Sequence, residues 1–108
     1  MSTLSTHVLD TARGTPAQGV HVILNHGGAV LGSGTTDADG RVKDIAGSGI
    51  KLNAGEYSLT FSVADYFRKS GTQSFYSDIV VTFNVLEEGH YHVPLLVSPF
   101  GYSTYRGS

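Results

Sequence analysis

The 108-residue sequence contains no cysteine, which excludes disulfide bonds, thiol nucleophiles and cysteine-ligated zinc and is typical of a reducing compartment. The chain has seven Lys and Arg residues and nine Asp and Glu residues, and its basic residues form no run. This charge balance argues against nucleic acid as a partner. No apolar stretch approaches the roughly 20 residues of a membrane-spanning helix, so no membrane partner is expected. Residues 1–7 lack the basic and apolar regions of a signal peptide. The sequence therefore predicts a cytoplasmic protein.

Several catalytic and metal-binding motifs are also missing. The chain has neither a G-x-S-x-G elbow nor a Walker-type glycine-rich loop with a lysine. The segment Asp37-Ala38-Asp39-Gly40 is similar to part of a calcium loop, but Thr35 and Ala46 occupy the two ends, where an EF-hand needs carboxylates. We therefore expect a hairpin turn there.

The length predicts one domain over residues 1–108. A domain of this size has little material for a deep cleft of its own. A buried small-molecule site would form most easily between subunits.

Apolar residues alternate with polar ones in short runs, a period of two that is typical of half-buried strands. Turns rich in Gly, Asn and Asp separate these runs. One short helix is expected at 65–70, with Asp65 as its N-cap and Gly71 as its stop. The pattern favours an all-β fold, an antiparallel β-sandwich. Its strands are predicted near 4–10, 19–25, 29–35, 41–44, 56–64, 78–86, 90–98 and 100–105.

Two histidines, His90 and His92, are two residues apart on a predicted strand and so project from one face, while Tyr91 and the alternate residues fill the core. One interpretation makes them solvated surface groups. A second is a zinc site with His7 as the third ligand. A third is metal-free acid–base catalysis, because imidazole titrates near neutral pH.

His7 lies on the first predicted strand, on the face of Ser5, and can be structural or catalytic. Arg41 follows the Asp-Gly turn; it is either a surface cation or a guanidinium that holds an anionic or carbonyl-rich planar ligand. The last residues, 102–108, carry two Tyr and one Arg and have no acidic or Lys-rich tail.

These residues together resemble the 5-hydroxyisourate hydrolases, the purine-degrading members of the transthyretin-like family. The closing tetrapeptide and the two histidine-bearing strands are specific to the hydrolase branch, whereas the D-x-D-G turn and residues 52–57 indicate the fold alone. In transthyretins that carry hormones, a lysine takes the place of His7 and the closing tetrapeptide is missing. The matching segments are Ser5-Thr6-His7-Val8-Leu9-Asp10, Thr36-Asp37-Ala38-Asp39-Gly40-Arg41, His90-Tyr91-His92-Val93-Pro94-Leu95-Leu96-Val97-Ser98-Pro99, Gly101-Tyr102-Ser103-Thr104 and Tyr105-Arg106-Gly107-Ser108.

The resemblance implies a transthyretin-like sandwich of two four-stranded sheets and a homotetramer, a dimer of dimers with active sites where the dimers meet. It implies hydrolysis of the small molecule 5-hydroxyisourate in urate degradation, with no cofactor and no metal. By this resemblance His7, Arg41 and His92 are catalytic. The substrate-binding residues would be His7, Arg41, Tyr105, Arg106 and Ser108.

Three other functions stay open at this point. The first is a non-catalytic carrier that holds an aromatic small molecule in the same channel. The second is a zinc hydrolase built on His7, His90 and His92. The third is a structural or adhesive module, which only the fold-level motifs favour.

Overall fold

The computed structural model describes residues 2–46 and 52–107, which form strands and one short helix. The predicted all-β sandwich with one short helix is confirmed. In the described part of the chain, no helix has the length and apolar character of a membrane span. In chain order the elements are β1 (Thr3–Asp10), β2 (Thr15–Pro16), β3 (His21–His26), β4 (Ala29–Thr35), β5 (Arg41–Val42), β6 (Gly55–Phe61), α1 (Val63–Lys69), β7 (Ile79–Val85), β8 (His90–Ser98) and β9 (Gly101–Thr104).

The strands form two sheets that enclose the core. The second sheet has four strands in the order β4-β3-β6-β7, as predicted. The first has the order β2-β1-β8-β9, and β5 also pairs with β1, so it has five strands rather than the predicted four. The extra strand arises because two short strands share one edge of β1: β2 pairs with Leu9 and Asp10, and β5 pairs with Thr6 and His7.

One strand pair departs from the predicted antiparallel arrangement, because β1 and β8 run parallel. Local alternation shows which face a side chain takes but carries no information on the direction of a distant partner strand. In this register Thr3 lies opposite His90, Ser5 opposite His92 and His7 opposite Pro94. The histidines of both strands therefore lie on the outer face of the first sheet.

The inner faces of the sheets supply the core. On β8, the alternate residues Tyr91, Val93, Leu95 and Val97 are buried, as the period of two predicted. They face the second sheet, from which β3 and β6 contribute buried residues: Val22, Leu24, Tyr57, Leu59 and Phe61. The core thus fixes the orientation of β8, so that His90 and His92 point away from it.

The helix begins earlier than the sequence predicted. Its first residue is Val63 and its N-cap is Ser62, so Asp65 is not the cap but lies in the first turn, 2.6 Å from the Arg68 guanidinium. Val63 continues the alternation of β6, but it is buried with Phe67 at helical spacing, so the predicted strand 56–64 was too long. The predicted stop is confirmed, because Gly71 follows the C-cap with a φ of +71°.

Candidate active site

The Asp37–Gly40 turn places Arg41 beside β1. The Asp37 carboxylate accepts hydrogen bonds from the backbone N–H of Asp39 at 2.9 Å and of Arg41 at 3.0 Å. The bond from Arg41 is the largest cause that lowers the pKa of Asp37. Gly40 has a φ of +76°, and a Cβ there would collide with the carbonyl oxygen of Val8. The segment is therefore a tight turn, as predicted, but not a hairpin, because β4 pairs with β3 in the second sheet whereas β5 pairs with β1 in the first.

His7 lies directly across from Arg41 in the pairing of β1 and β5. Its Nε2 is 2.9 Å from the backbone carbonyl oxygen of Asp39. Because a carbonyl oxygen only accepts, Nε2 carries the proton of this bond, and a neutral His7 has its lone pair on Nδ1. A cavity of about 350 Å³ adjoins this position, lined by Ser5, Thr6, Arg41 and Lys43.

His92 lies on the neighbouring strand β8, with its ring centroid 6.5 Å from that of His7. Its Nδ1 is 2.7 Å from Ser5 Oγ. Partial burial is the largest cause that lowers the pKa of His92, followed by the positive charges of Arg41, His7 and His90. A lowered pKa keeps the imidazole neutral at pH 7, the state in which it can accept a proton.

The tail crosses this site through its backbone. Pairing between β8 and the tail continues beyond β9, and the Gly107 N–H donates a hydrogen bond of 2.8 Å to the His92 carbonyl oxygen. A Cβ at Gly107 would lie 2.5 Å from His92 Cδ2 and 3.2 Å from Pro94 Cγ. Only glycine fits here without displacing the ring. The sequence marked Gly107 as part of a motif but gave no sign of this contact.

The other tail residues lie elsewhere in the subunit. Because Gly107 pairs with His92, Arg106 points to the opposite face, where its guanidinium carbon lies 4.5 Å from the centroid of the Tyr91 ring. Arg106 and Tyr105 line a groove of about 510 Å³ together with Val81 and Phe83 of β7. Ser108, the remaining predicted substrate-binding residue, lies outside the described residues.

The structure therefore brings His7, Arg41 and His92 together, with Gly107, in one row on the outer face of the first sheet. Within one subunit it places Arg106 apart from them.

His90 binds hydroxyl groups on β1 through both ring nitrogens. Nδ1 is 2.6 Å from Thr3 Oγ1, and Nε2 is 2.9 Å from Ser5 Oγ. The strand period places Ser5 on the face of His7, but the sequence predicted no role for Ser5; the signal is its position two residues before His7. Within residues 2–46 and 52–107, no group of three His, Cys, Asp or Glu residues is arranged to hold a metal ion.

A two-sheet sandwich with paired imidazoles and a guanidinium on one outer face defines a transthyretin-like protein with a polar site. The sequence model of the HIUase/Transthyretin family matches residues 4–107, and the chain belongs to this family. The predicted family resemblance is thus confirmed.

Three similar proteins illustrate the match. A 5-hydroxyisourate hydrolase from Mesorhizobium japonicum is 47% identical over 113 residues, which cover 97% of this chain and 91% of that protein. The solved structure of Klebsiella pneumoniae 5-hydroxyisourate hydrolase is 44% identical, with a TM-score of 0.92 and full coverage of both chains. A sea bream transthyretin solved in complex with thyroxine is 30% identical, with a TM-score of 0.88 over 97% of this chain and 94% of that one. The fold alone therefore does not decide between a hydrolase and a thyroxine-binding protein.

Proposed function

We propose that this protein is a cytoplasmic enzyme that hydrolyses the cyclic amide of 5-hydroxyisourate in urate degradation. The product is 2-oxo-4-hydroxy-4-carboxy-5-ureidoimidazoline. The observation that carries the proposal is the row of His7, Arg41 and His92 on one sheet face. The similarity to 5-hydroxyisourate hydrolases over nearly the whole chain supports the choice of substrate.

In the proposed mechanism, His92 acts as the general base that removes a proton from the attacking water. The lowered pKa of His92 supports this role, because the neutral ring has a lone pair to offer. His7, on the adjacent strand, has a lone pair on Nδ1 and assists in orienting the same water. General-base catalysis of this kind contributes about 10²–10⁴ in rate.

Arg41 orients the substrate and stabilises the negative charge that develops on the attacked carbonyl oxygen. Its guanidinium is permanently charged. Arg41 lies opposite His7 in the strand pairing and lines the cavity of about 350 Å³ beside Ser5. The family resemblance assigns Tyr105, Arg106 and Ser108 to contact with the substrate ring and exclusion of bulk water. Because Arg106 lies apart from His7, Arg41 and His92 within one subunit, this contact requires that a second subunit brings its tail to the site.

We further propose a homotetramer, a dimer of dimers with active sites at the subunit interface. The site lies on the outer face of a sheet, where a single subunit offers an open surface rather than an enclosed pocket. Strands β7 and β9 each lie at one end of their sheet, and Val80 and Tyr102 on them are exposed. A second subunit would cover these residues and supply the missing walls of the site.

The test is to generate 5-hydroxyisourate fresh from urate and follow its ultraviolet decay with and without the protein. The proposal requires faster decay with wild-type protein and loss of most of that turnover in His92→Asn, with the fold and assembly unchanged. His21→Asn, which changes an exposed histidine on the other sheet, serves as the matched control and should retain activity. Near-normal activity of His92→Asn would overturn the assignment of the base.

The carrier hypothesis is the second candidate, because the chain shares its fold with a transthyretin solved with thyroxine. A carrier would bind an aromatic ligand stoichiometrically and leave the decay of 5-hydroxyisourate unchanged. Exhaustive chelation tests the zinc hypothesis in the same assay: a zinc hydrolase would lose activity, whereas the mechanism proposed here predicts the full rate.

A further inference from the structure

Two hydroxyl groups of β1 and two imidazoles of β8 form one continuous hydrogen-bonded chain. The chain runs from Thr3 Oγ1 to His90 Nδ1 (2.6 Å), from His90 Nε2 to Ser5 Oγ (2.9 Å) and from Ser5 Oγ to His92 Nδ1 (2.7 Å). The parallel register creates it, because Thr3 lies opposite His90 and Ser5 opposite His92 on the same face. The chain begins at exposed residues and ends at the partly buried His92.

The single proton of the Ser5 hydroxyl allows two arrangements of this chain. In one, Ser5 donates to His92 Nδ1 and accepts from His90 Nε2; a neutral His92 then carries its proton on Nε2. In the other, His92 Nδ1–H donates to Ser5 and Ser5 donates to His90, which leaves a lone pair on His92 Nε2. Only the second arrangement leaves the outward nitrogen of His92 able to act as a base.

We propose that Ser5 relays protons from His92 to His90, so that exposed His90 releases a proton to solvent when His92 takes one from the attacking water. The proposal rests on the proposed function. His92 Nε2 first accepts a proton from water while the water oxygen bonds to the substrate carbonyl carbon and the C=O electron pair moves to the carbonyl oxygen. The Nδ1 proton of His92 then moves to Ser5 Oγ while the Ser5 hydroxyl proton moves to His90 Nε2. His92 then carries its proton on Nε2, Ser5 is neutral, and His90 is an imidazolium that releases a proton to bulk water.

As the tetrahedral intermediate collapses and its C–N bond breaks, the Nε2 proton of His92 passes to the leaving ring nitrogen. In the same step the hydrogen-bonded chain runs in reverse, with a proton from water entering at His90, and restores Nδ1–H on His92, so that Nε2 is again a base.

The surrounding charges favour this direction of transfer. Arg41 on β5 and His7 on β1 both face His92 and disfavour a positive charge on its ring, as does His90 on β8 itself. Lys43, which lines the same cavity as Arg41 and Ser5, adds a further positive charge. The tail presents the backbone of Gly107 to the ring. His90 is exposed, at the other end of the hydrogen-bonded chain from His92, where water can accept the proton.

The kinetic experiment compares Ser5→Ala, Ser5→Thr and His90→Gln with wild type over a range of pH. Without the relay, regeneration of the base slows, and we expect kcat of Ser5→Ala to fall about tenfold or more. Because Ser5 is a positioning residue, KM should stay within about twofold of wild type. Ser5→Thr, which keeps the hydroxyl, should recover most of kcat. In His90→Gln, added imidazole buffer should raise kcat by replacing the lost proton acceptor, whereas wild type should not respond.

Each of these results can contradict the relay. The relay is overturned if Ser5→Ala leaves kcat unchanged or affects only KM. It is also overturned if Ser5→Thr does not recover the kcat that Ser5→Ala loses. A His90→Gln enzyme that keeps wild-type turnover or ignores added imidazole would overturn it as well.

A measurement that does not depend on activity separates this inference from the proposed function. Nitrogen-15 NMR of the imidazoles reports the tautomer and titration of His92 and His90 in the free protein. Replacing Ser5 with alanine should change the His92 tautomer and uncouple the two titrations. An unchanged His92 spectrum in Ser5→Ala would overturn the relay, whatever the substrate is. If the titrations of His92 and His90 are coupled but the protein does not accelerate the decay of 5-hydroxyisourate, only the proposed function is overturned.

Discussion

At the scale of single residues, the protonation of His92 depends on its neighbours. Partial burial disfavours the imidazolium most, and the guanidinium of Arg41 is the next largest cause. The same arginine that would stabilise a developing oxyanion also keeps the base neutral. Substrate orientation and base strength are therefore coupled through one side chain.

Replacing Arg41 with glutamine should raise the pKa of His92, because a positive charge that opposes protonation is removed. A base must be unprotonated to act, so the acidic limb of kcat/KM should move to higher pH, and the maximal rate should fall because the oxyanion loses its cation. The measurement is kcat/KM against pH. Arg68→Gln makes an equal change of charge on α1 and should leave the acidic limb of the kcat/KM profile at its wild-type pH. If the acidic limb of Arg41→Gln also stays at the wild-type pH, the coupling is contradicted.

The contact between Gly107 and His92 leads to a second prediction. In Gly107→Ala, a Cβ would lie 2.5 Å from His92 Cδ2, so the ring must shift, and we expect kcat/KM to fall about 10²-fold, as for other misplacements near 1 Å. Gly101→Ala is the matched control, because its Cβ would meet only Ser98 Oγ at 3.7 Å. Equal activities of the two variants would show that the close fit at Gly107 is not needed.

At the scale of elements, a buried carboxylate joins α1 to the end of β1. The Tyr66 hydroxyl donates to Asp10 Oδ2 at 2.7 Å, and the backbone N–H groups of Ala12 and Arg13 both donate to Oδ1 at 3.1 Å. Burial, followed by the bond to Asp10, raises the pKa of Tyr66 to about 12. The Tyr66 hydroxyl thus stays protonated and supplies a hydrogen bond to the buried Asp10 carboxylate.

Removing that donor should destabilise the fold. In Tyr66→Phe, one oxygen of the buried Asp10 carboxylate loses its partner, and we expect the free energy of unfolding to fall by about 1–3 kcal/mol. Urea denaturation measures the difference. Tyr76→Phe is the control, because that ring is half-buried among aromatic side chains; an equal loss in both variants would contradict a specific role of the bond to Asp10.

Particular elements show how far the sequence could predict this structure. Alternation on β8 predicted both the buried face of Tyr91 and the shared outer face of His90 and His92, because a strand has a fixed local period. The start of α1 was misplaced because Val63 satisfies the period of a strand and of a helix alike. The bonds of Ser5 depend on a register between distant strands, which no local pattern encodes. The family resemblance, not the pattern, selected His7, Arg41 and His92 from the other polar residues.

At the scale of the whole molecule, the open position of the site makes assembly part of the proposed activity. If neighbouring subunits supply the walls, specific activity should fall when dilution dissociates the tetramer. Analytical ultracentrifugation and the ultraviolet assay, run over the same range of protein concentration, measure both quantities. A monomer with full specific activity would contradict the interfacial site.

Acid should weaken the fold through His92, the proposed base. The pKa of folded His92 lies below its ordinary value of 6.5, so in mildly acidic solution the unfolded chain takes up this proton more readily than the folded one. The contribution of His92 to stability is therefore lost as pH falls below about 6.5. In His92→Gln, the thermal unfolding midpoint should drop less between neutral and mildly acidic pH than it does in wild type. An equal drop in both proteins would contradict a role of His92 in acid destabilisation.

The parallel pairing of β1 with β8 also affects how the protein is made. Thr3 and His90 are neighbours in the sheet but 87 residues apart in the chain. On the ribosome, β1 emerges before β8 and remains without this partner until residues 90–98 have been synthesised. Such distant pairings are slow to close, so the nascent chain exposes the apolar side chains of β1 until β8 is available. His7 and His92 can meet only after this closure, so the proposed catalytic row cannot form before residues 90–98 have been synthesised.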